Sequence, residues 1–320
     1  MTQTLHRISF GILSLYLCAV TVFARELIPV GQVIGLELSA GTVTVAAFDE
    51  AFPAGRDSGL QIGDEILTID DYPIRCAEDI RQVLNRSDGT VELCIRRAGK
   101  EQQLKLEPEI TPHGPKLGIY LRQGITGIGT VTFYDPDSGD FGTLGHGVSN
   151  AKGCLLPMAK GNAYSATVVS VQKGRPGTPG QLKGALDSNR PVGSLSCNTG
   201  RGVFGCAPGV WQGNPIPVAS CEAVHTGEAT IRSTVTKGTP QDYSVEILKI
   251  YPSDRSDGRN LLIRVTDPDL LAATGGIVQG MSGSPIIQNG KLIGAVTHVL
   301  VNDPTTGYGI FIENMLDAAE

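Results

Sequence analysis

Over most of the chain apolar and polar residues alternate in short runs broken by glycine, proline, asparagine or aspartate. The pattern is clearest in Val43-Thr44-Val45, Val91-Glu92-Leu93-Cys94-Ile95, Tyr243-Ser244-Val245-Glu246-Ile247 and Leu261-Leu262-Ile263-Arg264-Val265. A period of two predicts strands with one buried face. Thr126 to Tyr134, Tyr164 to Val171 and Glu228 to Val235 read the same way. One stretch has helical spacing instead: Ile80, Val83 and Leu84 share a face, and Glu78 and Asp79 favour its N-terminal end. Asn289-Gly290, flanked by Ile286-Ile287-Gln288 and Leu292-Ile293, is the preferred pair for a type I′ hairpin turn. Ile8 to Ala24 is almost unbroken apolar sequence, preceded by His6-Arg7 and ending in the small-x-small pattern Val22-Phe23-Ala24. At about 17 residues it exceeds the usual signal-peptide core, so residues 1–27 are expected to be a signal peptide or, preferentially, an uncleaved membrane anchor that exports the rest. Cleavage after Ala24 stays open.

Composition agrees with a β-rich chain. The 320 residues suffice for about two domains, and 41 Gly and 19 Pro with 18% charged residues favour short strands and many turns. The net charge of −6, without a lysine or arginine cluster, excludes nucleic acid as a partner. Of seven cysteines, six lie beyond the apolar segment, scattered and without a Cys-x-x-Cys pair. Cys197, Cys206 and Cys221 with His225 form a conceivable crosslink or metal set, but buried small hydrophobes are the favoured reading. No metal or cofactor is expected.

From Gly31 to Pro108 the order of features is distinctive. Gly31-Gln32-Val33-Ile34-Gly35-Leu36 is followed by a strand, then Ala54-Gly55-Arg56-Asp57-Ser58-Gly59-Leu60-Gln61-Ile62-Gly63-Asp64-Glu65-Ile66-Leu67, then the helical segment and another strand. This resembles a PDZ domain, here residues 28–108. PDZ domains take an extended peptide at a sheet edge beside a helix, and the resemblance implies Val33, Ile34, Gly35 and Leu36 as the peptide-binding loop. Pro108 to Pro115, with three prolines, is expected to be an irregular linker.

The remaining sequence carries candidate chemistry. In Gly280-Met281-Ser282-Gly283-Ser284-Pro285 glycines flank Ser282, so its hydroxyl can be exposed while the N–H groups of Gly280 and Ser282 converge on an oxyanion. A serine leading into a hairpin differs from the strand-to-helix elbow of Gly-x-Ser-x-Gly hydrolases, which points to a β-barrel serine peptidase. Ser284 is the alternative nucleophile. The base belongs to His146, His225 or His298, with Gly145-His146-Gly147 favouring the first. For the acid, Asp267 has rivals in Asp269 and Asp242, and Asp267-Pro268 also reads as a simple turn.

Gly145-His146-Gly147-Val148, Gly280 to Pro285, Gly294 to Pro304 and Gly307-Tyr308-Gly309-Ile310-Phe311 together resemble the SpoIVB peptidases of endospore formation. The resemblance covers essentially the whole chain. It implies a mostly β fold: the N-terminal segment, an α+β PDZ domain, and a chymotrypsin-like β-barrel serine peptidase domain over residues 109–320. It also implies the triad Ser282, His146 and Asp267. The expected activity is an exported serine endopeptidase that cuts itself, with Arg25 to Val30 as a candidate region. It would then cut the regulatory subunit of an intramembrane protease complex, leading to sigma-factor activation, in the space between two membranes. The other reading is an inactive exported PDZ scaffold that binds peptides.

Overall fold

The computed structural model describes residues 25–150, 153–236 and 238–320. The apolar N-terminal segment, and with it the choice between anchor and signal peptide, lies outside them. No helix among the described residues is long and apolar enough to cross a membrane.

Two antiparallel barrels account for most of these residues. The second is closed in the order Gly227–Ser233, Gln241–Ile250, Leu261–Val265, Asp303–Phe311, Lys291–Leu300 and Pro285–Gln288. The last strand returns to the first through Ile286 opposite Ile231. The period-two pattern read from the sequence is the inward face of this barrel: Tyr243, Val245, Ile247, Ile263 and Val265 are all buried in one cluster. Asn289 and Gly290 both take positive φ, at 52° and 72°, as the hairpin turn requires.

The first barrel runs Asp140–Thr143, Gly202–Cys206, Gln181–Thr199, Lys160–Gln172, Val33–Ser39 and Ile125–Tyr134, and closes where Asp140–Thr143 pairs with Ile125–Tyr134. Short strands Glu26–Pro29 and Ile216–Pro217 continue the same sheet. Between the barrels Leu27, Phe133 and Phe204 pack with Leu292, Ala295 and Ile310, and the terminal helix Ile312–Asp317 adds Ile312 and Met315. Each of these side chains other than Ala295 contributes about 1.5–3 kcal/mol on burial, so this shared core holds the two barrels at a fixed mutual position.

The PDZ-like unit is an insertion into the first barrel. Strands Val33–Ser39 and Ile125–Tyr134 are direct neighbours, Ile125 opposite Leu38 and Thr130 opposite Val33. The intervening chain forms a separate sheet in the order Ile119–Arg122, Val43–Phe48, Glu65–Ile69, Val91–Arg97 and Lys100–Leu106. Helix Ala77–Leu84 covers its core with Ile80, Val83 and Leu84, the three residues its periodicity singled out. Asp64, 1% exposed, is held by Arg97 Nε and a second guanidinium nitrogen at 2.8 and 2.6 Å.

The structure departs from three expectations. The division at residues 28 and 108 shifts, because Glu26–Pro29 and Val33–Ser39 belong to the first barrel and Ile119–Arg122 to the PDZ-like sheet. Pro108 to Pro115 is not irregular: Glu109–Thr111 and Gly114–Lys116 form a small hairpin, with Thr111 Oγ1 donating to Gly114 O at 2.7 Å. Val33, Ile34, Gly35 and Leu36 are no peptide-binding loop, since Ile34, Gly35 and Leu36 pair on both sides, with Ile125–Tyr134 and Lys160–Gln172, and Val33 pairs with Thr130. Gly35 serves packing: a Cβ there would stand 1.6 Å from Leu186 Cδ2.

Candidate active site

Ser282 lies in a loop that the two barrels hold between them. From its own barrel, Gly283 N–H donates to Val296 O at 2.8 Å and Ser284 N–H to Met281 O at 2.9 Å. From the first barrel, Thr130 N–H donates to Ser282 O at 2.9 Å, Thr130 Oγ1 to Gly280 O at 2.8 Å and Thr132 Oγ1 to Gly283 O at 2.8 Å. With these carbonyls turned towards the threonines, the N–H groups of Gly280 and Ser282 are left without a hydrogen-bond partner among the described residues. The turn depends on glycine: Gly283 has φ +96°, and a Cβ on it would meet Thr130 O at 1.9 Å.

His146 follows strand Asp140–Thr143, after Leu144 and Gly145, both at positive φ. Gly145 touches the second barrel: a Cβ there would meet Thr297 Cγ2 at 2.9 Å. His146 and Ser282 line one cavity of about 330 Å³, together with Leu36, Leu38, Ile128, Leu144 and Gly280. His146 Nδ1 is 3.0 Å from Gly147 O. A carbonyl only accepts, so Nδ1 carries the proton and Nε2 keeps its lone pair. Burial holds the imidazole below its ordinary pKa, opposed by the Gly147 carbonyl. In this structure Ser282 Oγ donates to Thr297 O at 2.7 Å, and no hydrogen bond joins it to His146. The hydroxyl must leave that carbonyl to give its proton to imidazole, a side-chain rotation about χ1.

Asp267 is not brought to this pair. It caps helix Pro268–Thr274, accepting from Asp269 N and Leu270 N at 3.0 Å each, and from Ser244 N at 3.3 Å. Its rivals are engaged or exposed elsewhere. Asp242 makes two bonds to Arg232, at 2.7 and 2.9 Å, and Asp269 is an exposed residue of that helix's first turn. Ser284 is fully buried with Oγ donating to Ser233 Oγ at 3.0 Å, and exposed His225 contacts Asn289.

The structure adds two residues that the sequence did not bring forward in these roles. His298, in the sequence one of three candidate bases, stands beside His146 with ring centroids 5.1 Å apart. Its Nδ1 is buried without a partner among the described residues, and burial, reinforced by His146 and Arg259 and opposed by Asp257, pushes its pKa down to about 4. Asn198 clamps the segment after His146: Val148 N–H donates to its Oδ1 at 2.9 Å, and its Nδ2 donates to Val148 O and Leu156 O at 2.8 and 2.9 Å. An asparagine within a long strand carries no local sign of that task.

For a metal, among the described residues Cys221, Glu222 and Glu313 place their ligand atoms within 4.8 Å of one another. Burial and both carboxylates push the Cys221 thiol up to about 11, which disfavours the thiolate a metal needs. Cys197 and Cys206 are not in that group.

The SpoIVB peptidase S55 family model matches residues 113–316. A curated relative from Agrobacterium fabrum, named as a zinc metalloprotease, is 31% identical over 99 residues, 31% of this chain. The match spans only 25% of that protein's length. Among solved structures, the active form of the Rv3671c protease from M. tuberculosis aligns at 15% identity with a TM-score of 0.36, covering 61% of this chain and 73% of that one. The PDZ domain of an SdrC-like protein from Listeria monocytogenes aligns at 24% identity with a TM-score of 0.22, covering 25% of this chain and 85% of that one.

Proposed function

The chain belongs to the SpoIVB peptidase S55 family and is a serine peptidase, and we propose that Ser282 is its nucleophile and His146 its base. The observation that carries this is their shared cavity, bordered by Gly280 and Ser282, whose N–H groups are unengaged. In the reaction Ser282 Oγ attacks the scissile carbonyl and its proton passes to His146 Nε2. The N–H groups of Gly280 and Ser282 hold the oxyanion. Imidazolium then protonates the leaving amine, and water, deprotonated by the same imidazole, releases the acyl group. The carbonyl of Gly147 keeps the imidazole in the competent tautomer, a task given to a carboxylate in Ser-His-Asp enzymes. No step calls for a cofactor.

The peptidase acts outside the cytosol on protein substrates, among them itself and a regulatory subunit of a membrane protease complex in endospore formation. This part rests on family membership and on the apolar N-terminal segment. Self-cleavage falls before Leu27, because Leu27 is 0% exposed in a strand paired with Ile125–Tyr134 and Ile216–Pro217, where a protease has no access. The PDZ-like unit takes a peptide on strand Ile119–Arg122. That strand is the edge of its sheet, paired among the described residues only with Val43–Phe48, and Leu117, Ile119 and Leu121 share a core with helix Ala77–Leu84. The test is hydrolysis of an unfolded protein by the purified full chain. Activity that is lost in Ser282→Ala supports the reading, and equal activity in that variant refutes it.

A further inference from the structure

The strand beside the nucleophile has an unused edge. Val131 donates its N–H to Gln32 O, towards strand Val33–Ser39, whereas Thr130 donates to Ser282 O and accepts from Leu144 N. Antiparallel strands alternate the direction of their hydrogen-bonding groups. Thr126 and Ile128 therefore direct N–H and C=O away from Val33–Ser39, to the side on which Thr130 meets Ser282. Among the described residues no strand pairs with 125–130 on that side, since Glu26–Pro29 and Asp140–Thr143 engage only residues from Val131 onward.

Side-chain space lies against this edge. The cavity that holds Ser282 and His146 is lined by Leu36, Leu38, Ile125, Ile128, Leu144 and Val148, and His146 is its one ionisable side chain. A second cavity, about 410 Å³, shares Gly127, Ile128, Gln279 and Gly280 with the first, so open space flanks Gly127 on two sides. A Cβ on Gly127 would meet no atom within 4 Å.

We propose that the substrate chain pairs in extended form with the Thr126–Ile128 edge and places a large uncharged side chain, that of Leu, Ile, Val, Met or Phe, in the apolar cavity at a fixed position flanking the scissile bond. Main-chain bonds to Thr126 and Ile128 set the register, and the cavity sets the choice of residue. An acidic or basic side chain there loses its hydration with nothing to pair with except a neutral imidazole. This rests on Ser282 being the nucleophile and adds the class of bond cut.

The test is to digest a mixture of proteome-derived peptides with the full chain and locate the cuts by mass spectrometry, in the wild type, Gly127→Leu and Ile125→Lys. In parallel, a small fluorophosphonate reports acylation of Ser282. Wild type is expected to favour apolar over charged residues at one flanking position by at least about tenfold. Gly127→Leu fills the cavity and shifts that position to Ala, Ser or Gly by a similar factor, read in enzyme that still labels at Ser282. Ile125→Lys admits Asp and Glu, and decides the matter if Gly127→Leu loses labelling through misfolding. Labelled enzyme with no side-chain preference, or with a preference unmoved in labelled Gly127→Leu and in Ile125→Lys, overturns the subsite and leaves the nucleophile standing. Wild type unlabelled at Ser282 removes the nucleophile assignment and this inference with it.

Discussion

His146 and His298 face each other across the barrel junction, ring centroids 5.1 Å apart and planes inclined at 39°. Burial depresses both, and His146 further opposes protonation of His298. His146, the proposed base, is thus kept neutral below the pH at which a free imidazole, with pKa near 6.5, would fill with protons. The acidic limb of kcat/KM is expected below pH 6.5, measured on a peptide substrate with no ionisable group. A limb at or above 6.5 contradicts the buried, neutral pair.

The same two groups set the sign of the stability dependence. Their folded pKa values lie below the unfolded value, so the unfolded chain binds more protons on acidification. Their contribution is fully present above about pH 6.5 and is lost as pH falls through the folded values, about 4 for His298. Urea midpoints in the wild type should drop over that window more steeply than in His298→Asn. Identical slopes would show that His298 does not titrate in this way.

Asn198 contributes through position alone. Asn198→Ala leaves Val148 N–H and the carbonyls of Val148 and Leu156 without their partner, at a cost of about 1–3 kcal/mol for each group that stays buried and unpaired. Turnover should fall while KM and the position of the pH limb hold, because the base moves but its surroundings do not. A pH limb that shifts with kcat unchanged would rule out the positioning role.

Asp267 acts on the helix it caps. Asp267→Ala is expected to lower stability by about 1 kcal/mol, and Asp267→Asn, which keeps the accepting oxygen, to stay near the wild-type melting temperature. Turnover measured in Asp267→Asn separates the two roles: activity near wild type fits the cap, and a large loss at unchanged melting temperature would return the carboxylate to catalysis.

How far the sequence reaches depends on the range of the interaction concerned. The Asn289-Gly290 hairpin, the helix bearing Ile80, Val83 and Leu84, and the glycine-flanked Ser282 and His146 are written locally, in turn chemistry and periodicity. The helix Pro268–Thr274 is equally local, although Asp267-Pro268 also suits a simple turn: an N-cap Asp followed by Pro at N1, closed by Gly275 at φ +74°, marks both ends of a helix. Val33 to Leu36 could not be placed from its own residues. A glycine-rich apolar run suits a PDZ loop or a central strand alike, and the difference lies in partners some 90 and 130 positions away, at Gly127 to Thr130 and Ala163 to Ser165. Insertion of one unit between neighbouring strands of another is likewise invisible to period or composition.

Gly283 ties the fold to the site. Gly283→Ala would place a methyl group against Thr130 O at a positive φ, with about 1–3 kcal/mol of backbone strain before the overlap is relieved. Fluorophosphonate labelling of this variant should be lost while circular dichroism keeps its β signal. Labelling at the wild-type rate would mean that the threonine-held loop does not shape the oxyanion site.

The most direct measurement is mass spectrometry of the full chain after reaction with a fluorophosphonate. The account predicts one adduct, on Ser282, absent in Ser282→Ala and formed about 10²–10⁴-fold more slowly in His146→Ala. An adduct that persists in Ser282→Ala, or that sits on Ser284, would contradict it.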